Sequence, residues 1–159
     1  MATTIQIVGH KKSGKTYVTT ALIKKLQQAG YRVAAIKHDA HRGSMDVPGT
    51  DSARMAAAGA RQVVLESSQG FFFHQLADRP PLEAIVALLS PSNDYVVIEG
   101  HKEAAYPQVI LLKDGEQATD FSSHQVITAA HLVTDNQLNQ PAADQLVDYL
   151  FNYLSQGDE

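Results

Sequence analysis

Residues Gly9-His10-Lys11-Lys12-Ser13-Gly14-Lys15-Thr16 match the whole pattern G-x-x-x-x-G-K-[ST]. Each fixed residue type has a chemical reason. Gly9 and Gly14 let the backbone turn tightly and bring its N–H groups against phosphate oxygens. A helix opening near Gly14 aims the positive end of its dipole at the same anion. Lys15 is then placed to reach β- and γ-phosphates, and the Thr16 hydroxyl to bind Mg²⁺. The intervening His10, Lys11, Lys12 and Ser13 belong to the same nucleotide-binding loop. An ordinary glycine-rich turn would leave the Lys-Thr pair unexplained.

A second acid belongs with this loop. Asp94-Tyr-Val-Val-Ile-Glu99-Gly100 is an apolar run ending in a carboxylate. In phosphate-loop proteins such an acid stands beside the phosphates and holds Mg²⁺ directly or through water. Glu99 is therefore the expected metal ligand and, with Lys15, the expected catalytic group, whereas Asp94 reads as a cap or a surface charge. The segment Lys37-His38-Asp39-Ala40-His41, with Asp46 and Arg54 after it, is rich in ionisable groups. Asp39 or Asp46 is a candidate for Mg²⁺ or substrate, and Lys37, His38 or Arg54 for phosphate. His38 and His41 could face one way on a turn, but no third metal ligand stands out. A solvated polar loop is the plainer reading. Near the end, Leu132-Val133-Thr134 leads to Asp135. A carboxylate there can accept from the N1–H and N2–H₂ edge of guanine, a donor pair adenine lacks. No N-K-x-D sequence is present, and a strand-end turn accounts for Asp135 equally well.

These groups need strands ending at one edge of a sheet. The apolar segments alternate between strand and helix types, which predicts an α/β fold with a mostly parallel sheet. Strands are expected at about Thr4–Val8, Tyr31–Lys37, Arg61–Glu66, Gly70–Gln75, Tyr95–Glu99, Val109–Lys113 and Val126–Val133. Gly70–Gln75 pairs with its predecessor as a small hairpin. Helices are expected at Lys15–Ala29, from an N-capping Asp51 to Ala58, at Leu82–Leu89, and from Pro141. Open sheets of this kind bind ligands outside the carboxyl ends of their strands.

Bulk composition is permissive. A chain of 159 residues, 44% hydrophobic and 19% charged, suits one nucleotide-binding domain over 1–159. It has no cysteine, which excludes disulfides, iron–sulfur clusters and thiolate zinc sites. A net charge of −4 offers no field for nucleic acid. No apolar run is long enough to span a bilayer, and Met1-Ala2-Thr3-Thr4 lacks the form of a signal peptide, so a cytoplasmic place is expected.

At these residues the chain resembles the B protein family of molybdopterin-guanine dinucleotide biosynthesis, MobB. The resemblance rests on Ser13-Gly14-Lys15-Thr16, Ile36-Lys37-His38 with His41, Asp46-x-Pro48-Gly49-x-Asp51-Ser52, Ala58-Gly59-Ala60 and Glu99-Gly100-x-Lys102. The middle run is specific, because phosphate-loop proteins in general do not share it. Two positions depart. Thr50 stands where the family has lysine, which puts one phosphate or partner contact in doubt, and His101 stands where it has phenylalanine, a change expected to alter packing more than chemistry. The resemblance implies a P-loop NTPase fold with helices on both faces of the sheet. It implies a homodimer that binds GTP and Mg²⁺ and hydrolyses GTP slowly. It also implies help to the guanylyltransferase (MobA) that joins GMP to molybdopterin, by delivering or handling nucleotide or cofactor. Two other classes remain open from the residues alone: a small P-loop kinase or ATP-dependent ligase, and an interaction module with a vestigial loop.

Overall fold

The computed structural model describes residues 1–39, 43, 45–76, 78–121 and 125–156. His41 lies outside them. The chain forms two compact units, one of Met1–His38 with Val86–Glu159 and one of Asp39–Ile85.

The first unit is built on five parallel strands, β1 (Thr3–Gly9), β2 (Val33–Lys37), β5 (Tyr95–Glu99), β6 (Pro107–Leu112) and β7 (Gln125–His131). Their order is β2-β5-β1-β6-β7, so β1 is central. Central parallel strands are buried on both faces and read as near-continuous apolar runs. Ile5, Ile7, Val97, Val109 and Leu111 turn to one face and pack with Leu22 and Leu26 of α1 (Lys15–Gln28) and Leu146 and Leu150 of α4 (Gln140–Ser155). Val8 and Ile110 turn to the other face and meet Phe121. The α1–α4 seam is edged by a Tyr17–Asp144 hydrogen bond of 2.7 Å and a Lys25–Asp148 ion pair. Helix α1 ends where glycine allows it: Gly30 N–H donates to Gln27 O and Tyr31 N–H to Leu26 O, the paired bonds of a left-handed C-terminal cap.

Asp94 holds the amino ends of β2 and β5 together. Its carboxylate accepts from the Arg32 guanidinium at 2.8 Å and from the Arg32 N–H at 2.7 Å. These bonds to Arg32, side chain first, hold the Asp94 carboxyl down to about 2. A depressed carboxylate adds stability above its unfolded value near 3.9 and loses it as pH falls through the folded one. Asp94→Asn should therefore flatten the acid-unfolding curve between about pH 4 and 2, measured as melting temperature against pH.

The second unit holds α2 (Asp51–Ala57) and the antiparallel hairpin of β3 (Gln62–Ser67) and β4 (Gly70–Gln75). Thr50, not Asp51, is the N-cap, because its hydroxyl accepts from Ala53 N–H. Within this unit Ser52 donates to Asp46 at 3.1 Å, and Arg54 pairs with Asp51 at 3.6 Å. Helix α3 (Leu82–Leu89) crosses the boundary between the units.

The last strand is shorter than its apolar run suggests. β7 stops at His131, and Val133–Thr134 (β8) pairs antiparallel with Gln137–Leu138 (β9). Asp135 and Asn136 form the turn, with φ of 51° and 60°. Two left-handed central residues are what a tight two-residue hairpin requires, and Asp and Asn tolerate that region best among residues with a side chain.

Candidate functional site

β1 delivers Gly9 to the carboxyl edge of the sheet, and the loop His10–Gly14 carries the chain into α1. Gly9 has no room for a side chain: a Cβ there would lie 2.5 Å from Ser13 Oγ and 2.7 Å from the Leu111 carbonyl oxygen. Lys12 and Gly14 are both left-handed, at φ 63° and 97°. Gly14 is the N-cap of α1, so no side chain caps the helix, and its first turn holds no acid. The amino-terminal amides are thus left for an external anion. The β8–β9 hairpin backs onto this point, since a Cβ on Gly14 would meet Leu138 Cδ1 at 3.2 Å.

Lys15 folds back over the loop. Its ammonium donates to the carbonyls of Gly9 and His10, both at 2.8 Å. Burial lowers its pKa from the ordinary lysine value; Glu99 opposes that shift, while Lys102 and Lys37 reinforce it. A half-desolvated cation held by neutral carbonyls is poised to exchange them for phosphate oxygens. Ser13 Oγ is buried with no hydrogen-bond partner, a second group with unspent bonding capacity.

Glu99 ends β5 in register with Ile7 of β1 and Lys37 of β2. It is buried, and one carboxylate oxygen accepts from Lys37 Nζ at 2.8 Å and from Thr16 Oγ1 at 3.4 Å. Thr16 and Glu99 therefore set two hard oxygen ligands side by side, the donor set Mg²⁺ prefers. With the uncapped amides, the Gly9 cradle and the orphan Ser13 hydroxyl, the residues fit a triphosphate with Mg²⁺.

The other sequence-predicted residues fall as follows. Lys11 and Lys12 are exposed on the loop. His10 is also exposed; its Nδ1 lies 2.5 Å from Glu116 Oε1 and its ring 5.1 Å from that of Phe121. The Lys113 N–H first, then His10, draw the Glu116 carboxyl below its usual value. His38 follows β2 and sets its ring 4.4 Å from that of His101. Asp135 is exposed at the tip of the β8–β9 turn. Asp39 is exposed and opens the second unit, which also contains Asp46 and Arg54.

Sequence reasoning missed Glu116 and Gln6. Nothing in the spacing pairs Glu116 with His10, 106 residues away. Gln6 had a signal: a polar residue inside a strand apolar on both sides must find partners when the strand is central. Among the described residues no helix is long and apolar enough to cross a membrane, and no group of three or more His, Cys, Asp or Glu is arranged to hold a metal. A Mg²⁺ held by one threonine, one acid and phosphates needs no such group.

Comparison with known proteins places these features in a lineage. Residues 4–135 match the family model of molybdopterin guanine dinucleotide synthesis protein B. A provisionally named molybdopterin-guanine dinucleotide biosynthesis adapter protein of Methanocaldococcus jannaschii is 37% identical over 126 residues, covering 76% of this chain and 51% of its own. The adapter protein of that name from Haemophilus influenzae is 33% identical over 107 residues, covering 66% of this chain and 60% of its own. The chain thus spans little more than half the length of these relatives. The crystal structure of Bacillus subtilis MobB superposes with a TM-score of 0.74 at 24% identity, covering 94% of this chain and 96% of that one, and so shares the fold. With 132 consecutive positions (4 to 135 inclusive) under one family pattern, the chain belongs to the MobB family of molybdopterin-guanine dinucleotide biosynthesis proteins.

Proposed function

We propose that this chain is a GTP-binding adapter of molybdopterin-guanine dinucleotide biosynthesis, with weak Mg²⁺-dependent GTPase activity. The observation that carries the reading is the meeting of Lys15, Thr16 and Glu99 at the carboxyl edge of the sheet, in a chain of this family. The loop amides and α1 receive the phosphate tail, and Lys15 leaves the Gly9 and His10 carbonyls for the β- and γ-phosphate oxygens. Thr16 and Glu99 would hold Mg²⁺, which would supply neutralising charge for the phosphates. Lys37 orients Glu99 from the neighbouring strand. Water attacks the γ-phosphorus as its bond to the β–γ bridging oxygen breaks, and GDP and inorganic phosphate leave. Among the described residues no glutamine or arginine is assignable to positioning that water or to the developing charge, so turnover is slow unless a partner or second subunit supplies the group.

Asp135 supplies the guanine preference by accepting from the base's N1–H and N2–H₂. The chain acts as a homodimer in the cytoplasm and presents nucleotide or cofactor to a guanylyltransferase of the MobA type, the molybdopterin cofactor being a further ligand. Titration with GTP and ATP, each with Mg²⁺, tests the reading. GTP is expected to bind tenfold or more tightly, as the loss of two hydrogen bonds to a carboxylate implies. Equal affinities would refute the guanine assignment, and absence of binding to either would refute the nucleotide site. The same titration with the guanylyltransferase present is expected to raise turnover; unchanged hydrolysis at saturating GTP would remove the partner's catalytic role.

A further inference from the structure

Gln6 stands in the middle of β1 with no exposure at all, among Ile5, Ile7 and Val8. Its neighbour across the sheet is Gln108 of β6, equally buried. The carbonyl oxygens of both side chains lack partners. Packing alone would favour an apolar residue at each position. What their amide nitrogens do is therefore informative. Gln108 Nε2 donates to Ala104 O at 3.0 Å. Gln6 Nε2 donates to two successive carbonyls, Gly100 O at 2.8 Å and His101 O.

Those carbonyls belong to the turn directly after Glu99. It is a constrained turn, since Gly100 and His101 are both left-handed at φ 93° and 56°. For histidine that conformation is unfavourable and persists only when surrounding bonds impose it. Glu99 is thereby fixed on every side. Its carbonyl accepts from His38 N–H at 2.9 Å, Gly100 N–H donates to Ile7 O at 3.0 Å, and Gln6 donates to the next two carbonyls, of which His101 O also accepts from Ala104 N–H at 2.9 Å. A Cβ on Gly100 would stand 3.0 Å from His38 Cβ, so this left-handed position is closed to a side chain.

The geometry points to Gln6 as a positioning residue that, through the Gly100–His101 turn, holds the Glu99 carboxylate beside Thr16 for the metal of a metal–nucleotide complex. The inference rests on the nucleotide reading above. Without the Gln6 amide the turn relaxes from its left-handed form. Glu99 then loses its fixed approach to Thr16, while the loop amides and Lys15 keep theirs. Metal affinity should suffer and metal-free nucleotide affinity should not.

The test uses Gln6→Met, which keeps the length and removes the donor, with Gln108→Met as the control for losing a buried amide. Fluorescently labelled GTP is titrated without metal and then with MgCl₂. In Gln6→Met the Mg²⁺ concentration at half-effect is expected to rise about tenfold, with metal-free affinity unchanged within twofold. Gln108→Met should shift it less than twofold. Hydrogen exchange of the peptide spanning Gly100–Glu103, measured without nucleotide, should quicken in Gln6→Met. An unchanged Mg²⁺ requirement in Gln6→Met, or equal shifts in both variants, would overturn the inference while leaving the nucleotide site standing. A wild-type protein whose GTP binding ignores Mg²⁺ would overturn both. If Gln6→Met does not fold, Gln6→Asn, whose amide is too short to reach the turn, gives the same comparison.

Discussion

Replacing Lys15 with alanine is expected to weaken GTP binding about a hundredfold. The ammonium donates charge-assisted hydrogen bonds to phosphate, each worth roughly 1.5–3 kcal/mol net. Part of that gain is spent in leaving the Gly9 and His10 carbonyls, each at 2.8 Å. The remainder, about 3 kcal/mol, corresponds to two orders of magnitude. Burial lowers the Lys15 pKa, so the bound anion also relieves a cation that the free protein solvates poorly. The variant should fold, since the side chain removed is only partly buried and packs in neither core cluster. Calorimetric titration with GTP reads the effect. A loss below tenfold would mean that the triphosphate does not lie against this loop.

Gly9→Ala is expected to damage both folding and binding. The added carbon would lie 2.5 Å from Ser13 Oγ and 2.7 Å from the Leu111 carbonyl oxygen. The hydroxyl can rotate. The carbonyl cannot, because it belongs to β6 in the middle of the sheet, where Leu111 pairs with both Gly9 and Ala130. Overpacking of this kind costs about 1–3 kcal/mol. For a chain of this size each kcal/mol lowers the melting temperature by roughly 2–4 °C. The loop would also be pushed off the phosphate, with a further loss of tenfold or more in affinity. Adding Ser13→Ala should recover a minority of the stability, because it removes the softer of the two clashes. Full recovery would show that the sheet carbonyl is not the obstacle.

Much of this arrangement was legible in the residues. Strands β1, β5 and β6 were placed within two residues because parallel strands buried on both faces write themselves as unbroken apolar runs. The turn from β1 into α1 was legible because the glycines of Gly9–Thr16 stand between an apolar strand and a helical pattern, and the structure places them there. Glu99 was legible as an acid at the end of such a strand, and the structure brings it to Thr16. The ends of elements were harder. Thr50 rather than Asp51 caps α2, and both residue types cap helices well. The last apolar run breaks at Leu132 because the side chains of Leu132 and Leu138 turn inward toward Gly14, a tertiary demand absent from local pattern. Gln6 was passed over because alternation assigns a polar residue to solvent, whereas β1 is buried on both faces from Ile5 onward.

The C-terminal helix carries a practical consequence. The family pattern stops at Asp135, before α4 begins at Gln140. Yet Ala143, Leu146, Val147, Leu150 and Leu154 form one wall of the interior that encloses Val18, Leu22 and Leu26. A fragment trimmed to the boundaries of recognisable ancestry would strip the greasy side of α1 of its cover and, with Leu138 gone, remove the prop behind the bend at Gly14. Such a truncation should clump rather than bind, so the inherited signature and the smallest working piece of this protein are not the same length.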